Sequence, residues 1–200
     1  MTFHVARIAA TAAALIALTG AAAAHTGHGD ASGFTHGFTH PVGGLDHVLA
    51  MVAVGLYAAL LGGRALWRVP ASFVGVMAIG GALGMAGVNV LLAEIGIALS
   101  VIVLGSAVAL RINLPTLGAM ALVGFFAIFH GHAHGTEMPQ DASGYTYAAG
   151  FMLATALLHG TGIVLGLAFG QMGRLAGHRV VQAGGGAMAL AGLVILIRAI

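Results

Sequence analysis

The chain contains no cysteine and no lysine, and only 6% of its 200 residues are charged. Without thiols there is no disulfide, no cysteine-ligated zinc site and no iron–sulfur cluster. So little charge excludes an ordinary water-facing surface, since soluble domains carry about 25% charged residues. Seven arginines against five carboxylates leave a formal charge of +2, and the arginines are scattered, so no nucleic-acid partner is expected. There is also no phosphate-binding loop, so ATP hydrolysis in this chain is not expected. What remains is apolar: 60% of the residues are hydrophobic and the mean hydropathy is +1.03. That composition describes an integral membrane protein. The unusual polar ratio is eleven histidines to five acids, the ligand chemistry left for a metal once thiolate is missing.

The first residues have the layout of a secretory signal: Arg7, an apolar run from Ile8 to Leu18, and small residues at Ala21 to Ala24. Cleavage after Ala24 would leave His25 first. Residues 1–24 are therefore expected to be a signal peptide, 25–45 a histidine-rich periplasmic segment and 46–200 a transmembrane domain. The expected fold class is all-α, a bundle of six transmembrane helices at roughly 46–63, 70–88, 91–110, 115–134, 146–170 and 180–199. Pro70 and Pro115 are expected at helix starts, where the missing N–H costs nothing, and Pro41 and Pro139 in polar connections. A cleaved signal puts the mature N-terminus outside. Arg64, Arg68, Arg111, Arg174 and Arg179 then all fall on the cytoplasmic side, as the positive-inside bias demands, and only Arg198 does not.

On that topology the acids and most histidines collect at the outer face. His40, Asp46 and His47 stand at the mouth of the first span, with Gly43 and Gly44 to let the chain fold back over itself. Asp46 suits either a helix N-cap or a metal ligand, and the roles are compatible. His130, His134 and Glu137 fall at i, i+4 and i+7, one face of a continuing helix, while His132 points elsewhere. Glu94 lies at the outer start of the third span, where a lone acid among leucines is expensive and is a functional candidate by default. His159 sits about 18 Å into the fifth span. It lies on the side of the Gly162, Gly166 and Gly170 seam, so it faces the bundle. Its alternatives are a core histidine bonded to a carbonyl and a ligand part-way across the membrane. Gly80 with Gly84, and Gly55 with Ala59 and Gly63, form similar seams, which serve packing within one chain as readily as between chains, so oligomeric state stays open.

The stretches "HPVGGLDHVLAMVAVGLYA", "FHGHAHGTEMP" and "ATALLHGTG" together resemble the HupE/UreJ family of nickel/cobalt permeases, over essentially the whole of residues 25–200. The resemblance implies import of Ni²⁺, in some members Co²⁺, through the inner membrane for hydrogenase or urease maturation. It carries functional positions to His40, Asp46, His47, Glu94 and the His130–His134 segment. The expected partners are a divalent metal ion and the lipid bilayer, with a cytoplasmic nickel chaperone as a candidate recipient. No resident cofactor is expected, the metal being cargo, and no enzymatic activity. Two rivals are an intramembrane zinc hydrolase built on His130, His134 and Asp46 with an activated water, and a periplasm-facing metal sensor or buffer, which leaves His159 unexplained.

Overall fold

The computed structural model describes residues 30–138, 143–171 and 174–200. The expected signal peptide 1–24, His25, His28, Pro139 and Asp141 lie outside them. Every element among the described residues is helical: α1 (Asp30–Gly43), α2 (Leu45–Leu61), α3 (Ala65–Met85), α4 (Ala93–Ala109), α5 (Thr116–Thr136), α6 (Gly144–Gly170) and α7 (Arg174–Ala199). Four of them, α3, α5, α6 and residues 176–199 of α7, are long and apolar enough to cross a membrane. The pair α1–α2, bent by 81°, passes the same test as one broken span, and α4 is a shorter apolar helix. The chain is a multi-pass membrane protein. Side chains such as Ile79, Phe125, Leu157, Val164, Leu190 and Ile197 stay exposed on the flanks, as lipid-facing residues do.

Two expectations about the ends of helices need correction. Within the histidine-rich segment 25–45 a polar stretch, Asp30 to Thr39, is expected ahead of the first span, with Pro41 in a connection, yet residues 30–43 form α1. The reason is a small-residue face: Gly33, Gly37 and Pro41 recur every fourth position and are all buried. A Cβ at Gly37 would overlap the Tyr147 carbonyl, and one at Gly150 would overlap that of Phe34, so α1 lies directly on α6. Pro70, expected at a helix start, lies inside α3, which begins at Ala65. The preceding turn is only three residues long, because Gly62 and Gly63 take positive φ (68° and 51°) and reverse the chain at once.

Backbone-to-backbone packing on glycine organises the bundle. Gly80 and Gly84 of α3 meet the carbonyls of Ile128 and His132, while Gly131 and Gly135 of α5 meet those of Met77 and Gly81. Gly55 and Gly162 join α2 to α6, and Gly105 and Gly185 join α4 to α7. The expected seams therefore exist, except at their ends. A side chain at Gly63 or Gly170 would meet nothing. Between the pairs, Tyr57, Phe73, Met77, Leu104, Tyr147 and Phe151 fill the core.

Candidate metal centre

Gly44 caps α2 in an extended conformation, and the chain turns there between α1 and α2. A side chain at this position would press on Asp46 Oδ1 (2.7 Å) and His47 Nδ1 (3.1 Å), so glycine leaves room for the site. Asp46 is not the cap residue. It lies in the first turn, where its Oδ1 accepts the His47 backbone N–H (2.8 Å) and the His47 ring Nδ1–H (2.9 Å). This placement of a carboxylate favours the N-terminal end of the helix dipole.

The break between α1 and α2, the starts of α4 and α6 and the end of α5 meet around an open cavity of about 650 Å³. His40, Asp46, His47, Glu94, Glu137 and Tyr147 line it. Glu137, which follows α5 as its C-cap, accepts a 2.8 Å bond from His40 Nε2. Glu94 is exposed on the rim. Behind this layer His134 is fully buried, its ring centre 4.8 Å from that of His40 and 4.7 Å from that of His47. His130, also fully buried, lies 4.9 Å from His47. Phe73 follows at 5.6 Å, and beyond it His159 at 5.1 Å, 1% exposed.

Hydrogen-bond accounting sharpens this arrangement. His47 Nε2, His130 Nδ1, both nitrogens of His134 and both of His159 are buried without a hydrogen-bond partner among the described residues. Buried polar atoms are ordinarily paired, and each exception calls for an explanation. The carbonyl-bonded core reading of His159 has no support, since neither of its nitrogens meets a carbonyl. His132 turns away from the cavity and bonds the Val88 carbonyl through Nε2 at 2.7 Å, and its Nδ1 is likewise buried without a partner, as are the hydroxyls of Tyr57 and Tyr147. As the side chains stand, no three histidine, aspartate or glutamate groups among the described residues are arranged to hold one ion together. The contacts are pairwise, with Asp46 engaged by His47 and Glu137 by His40.

Four neighbours of the histidines were missed in the sequence. Phe73 separates His130 from His159, Phe151 stacks on His134 at 5.0 Å, Tyr147 borders His40, and Ser100 bonds His130 Nε2 at 2.8 Å. Aromatics in apolar helices read as core filling. Ser100 gave no distinct signal, being one of two serines, with Ser106, in the apolar run of α4.

Fold and site together define a multi-pass membrane protein with an acid-lined cavity and buried imidazoles behind it. The comparisons name the family: the model described as "HupE / UreJ protein" matches residues 13–195, and the chain belongs to that family. It is 49% identical over 188 residues to "Protein HupE" of Rhizobium leguminosarum bv. viciae, across 94% of this chain and 96% of that protein. No solved structure matches.

Proposed function

We propose that this protein is a permease of the bacterial inner membrane that imports a divalent transition-metal cation, Ni²⁺ or its close relative Co²⁺, for metalloenzyme maturation. One observation carries the reading: imidazole nitrogens without protein partners run from an acid-lined cavity into the bundle, at His47, His134, His130 and His159. Imidazole suits Ni²⁺ and Co²⁺, and without thiolate the site does not favour Cu(I). The family resemblance supplies the choice of nickel.

In this reading α1–α2 forms one broken span and α4 completes a set of six, with the mature N-terminus and the cavity on the periplasmic side. The helix rise of 1.5 Å makes α4 about 25 Å long, enough for a span in a locally thin or tightly packed region. A helix broken beside an ion site is a recurrent device, because irregular backbone is tolerated where it lines a cavity. Asp46, Glu94 and Glu137 attract the hydrated cation, and His40 and His47 replace part of its water. His134 and His130 receive it in turn. To reach His159 it must pass the ring of Phe73, which occupies the space between them. The membrane potential drives the movement. At about 2.3 kcal/mol per charge per 100 mV, a divalent ion gains about 4.6 kcal/mol, more than a thousandfold in concentration. A cytoplasmic metal chaperone is the fitting recipient.

The test is radioactive nickel uptake in a transport-deficient host expressing wild type, His40→Ala, Asp46→Ala or His47→Ala. Uptake should collapse in the variants. Undiminished uptake at equal membrane protein level would overturn the proposed entrance.

A further inference from the structure

We infer that Ser100 is a positioning residue that fixes the tautomer of His130, so that the ring presents the bare lone pair of Nδ1 to the incoming cation. This rests on the permease reading above. Ser100 is fully buried in α4, and its Oγ lies 2.6 Å from the Ile97 carbonyl and 2.8 Å from His130 Nε2. A carbonyl carries no proton and a hydroxyl carries only one. At 2.6 Å the two oxygens need that proton between them, so the hydroxyl donates to Ile97. Its remaining lone pair then accepts, and His130 Nε2 must be the N–H. A neutral imidazole has a single N–H, which leaves Nδ1 bare. That atom is the one that is buried without a partner.

The same logic runs through the layer above. Asp46 accepts Nδ1–H of His47, leaving Nε2 bare and likewise unpartnered. Glu137 accepts from Nε2 of His40, leaving its Nδ1. These three imidazoles each spend their N–H on an oxygen and keep one lone pair for a metal; His132 does the same on the Val88 carbonyl but does not line the cavity. Metal-binding histidines are commonly oriented in this way by a second group. The oxygen changes character with depth: carboxylates serve the two cavity-lining rings and an uncharged hydroxyl serves the buried one. A carboxylate beside His130 would itself ligate the ion and hold it. Serine sets the ring without adding charge, which suits a position that must release its cargo.

The tautomer is read by nitrogen-15 NMR of histidine-labelled, metal-free, full-length protein in lipid nanodiscs, with His130→Gln identifying the signal. Wild type should show Nε2–H. Ser100→Ala should populate Nδ1–H, and Ser100→Thr, whose hydroxyl also bonds a carbonyl one turn back, should restore the wild-type form. In parallel, nickel uptake at equal protein level should fall by about tenfold in Ser100→Ala and recover in Ser100→Thr. An Nδ1–H tautomer in wild type, or a tautomer unmoved by Ser100→Ala, overturns the inference. A shifted tautomer with unchanged uptake overturns the role in transport while the permease reading stands. Wild type that imports no nickel overturns the permease reading while the tautomer result stands.

Discussion

Around the cavity of about 650 Å³ stand Asp46, Glu94 and Glu137, all three of the carboxylate side chains that the structure describes. At the opposite end, where α2, α4 and α6 finish and α7 begins, a second cavity of about 320 Å³ is bordered by Arg111, His178 and Gln182. There Arg111 donates to His178 Nδ1 at 3.2 Å and Gln182 donates to the Ala109 carbonyl at 2.9 Å. Arg64, Arg68 and Arg179 add to the same end, around the turns that enter α3 and α7. In the proposed reading this contrast supplies direction: the acids draw a cation in at one end, and among the described residues no acid lines the cavity at the end where the arginines are. Between the ends, the buried imidazoles of His130, His134 and His159 offer lone pairs and add no fixed negative charge.

The largest expected effect is at the junction of the two layers. His134→Ala removes the ring that touches both His40 and His47, and nickel uptake should fall on the order of 100-fold at equal protein level. Next comes packing rather than chemistry. Gly131→Ala forces a methyl onto the Met77 carbonyl, whereas the same change at Gly186 meets nothing within contact distance. Thermal unfolding in detergent should show the first destabilised by about 1–3 kcal/mol and the second within about 0.5 kcal/mol of wild type.

Smaller still is the field at the mouth. Glu94→Gln should raise the apparent KM for nickel a few-fold and leave the maximal rate almost unchanged, because an exposed rim acid concentrates the ion without ligating it. That difference should shrink as ionic strength rises. Arg111→Gln should change nickel KM least. A KM effect at Arg111 as large as at Glu94 would break the proposed asymmetry between the ends.

How much of this was legible in advance differs by feature. The apolar runs marked α2 to α7, and four-residue spacing marked Gly80 with Gly84, Gly55 with Ala59, and Gly162 with Gly166, because both signals are periodic; that Gly55 meets Gly162 was visible only in the structure. The helix α1 was not legible, since its face consists of two glycines and a proline, residues that read as loop until a partner backbone supplies the contact. For the site, placing His40, Asp46, His47, Glu94 and Glu137 at helix ends made their grouping legible, and all five line one cavity. The roles of Asp46 and Glu137 as acceptors for ring N–H groups did not follow, because a spacing gives proximity but not who donates to whom. Phe73 and Ser100 escaped for a related reason. Each matters through a neighbour on another helix, and a single sequence carries no record of that neighbour.

The central claim is tested most directly by nickel flux into sealed proteoliposomes under an imposed inside-negative potential, with no ATP present, comparing wild type with His159→Ala. The account predicts saturable entry into wild-type vesicles that rises with the potential, and entry at least tenfold slower through His159→Ala, since on the proposed path the ring beyond Phe73 is the last imidazole before release. Equal flux through both proteins, or wild-type flux indifferent to the potential, would contradict it.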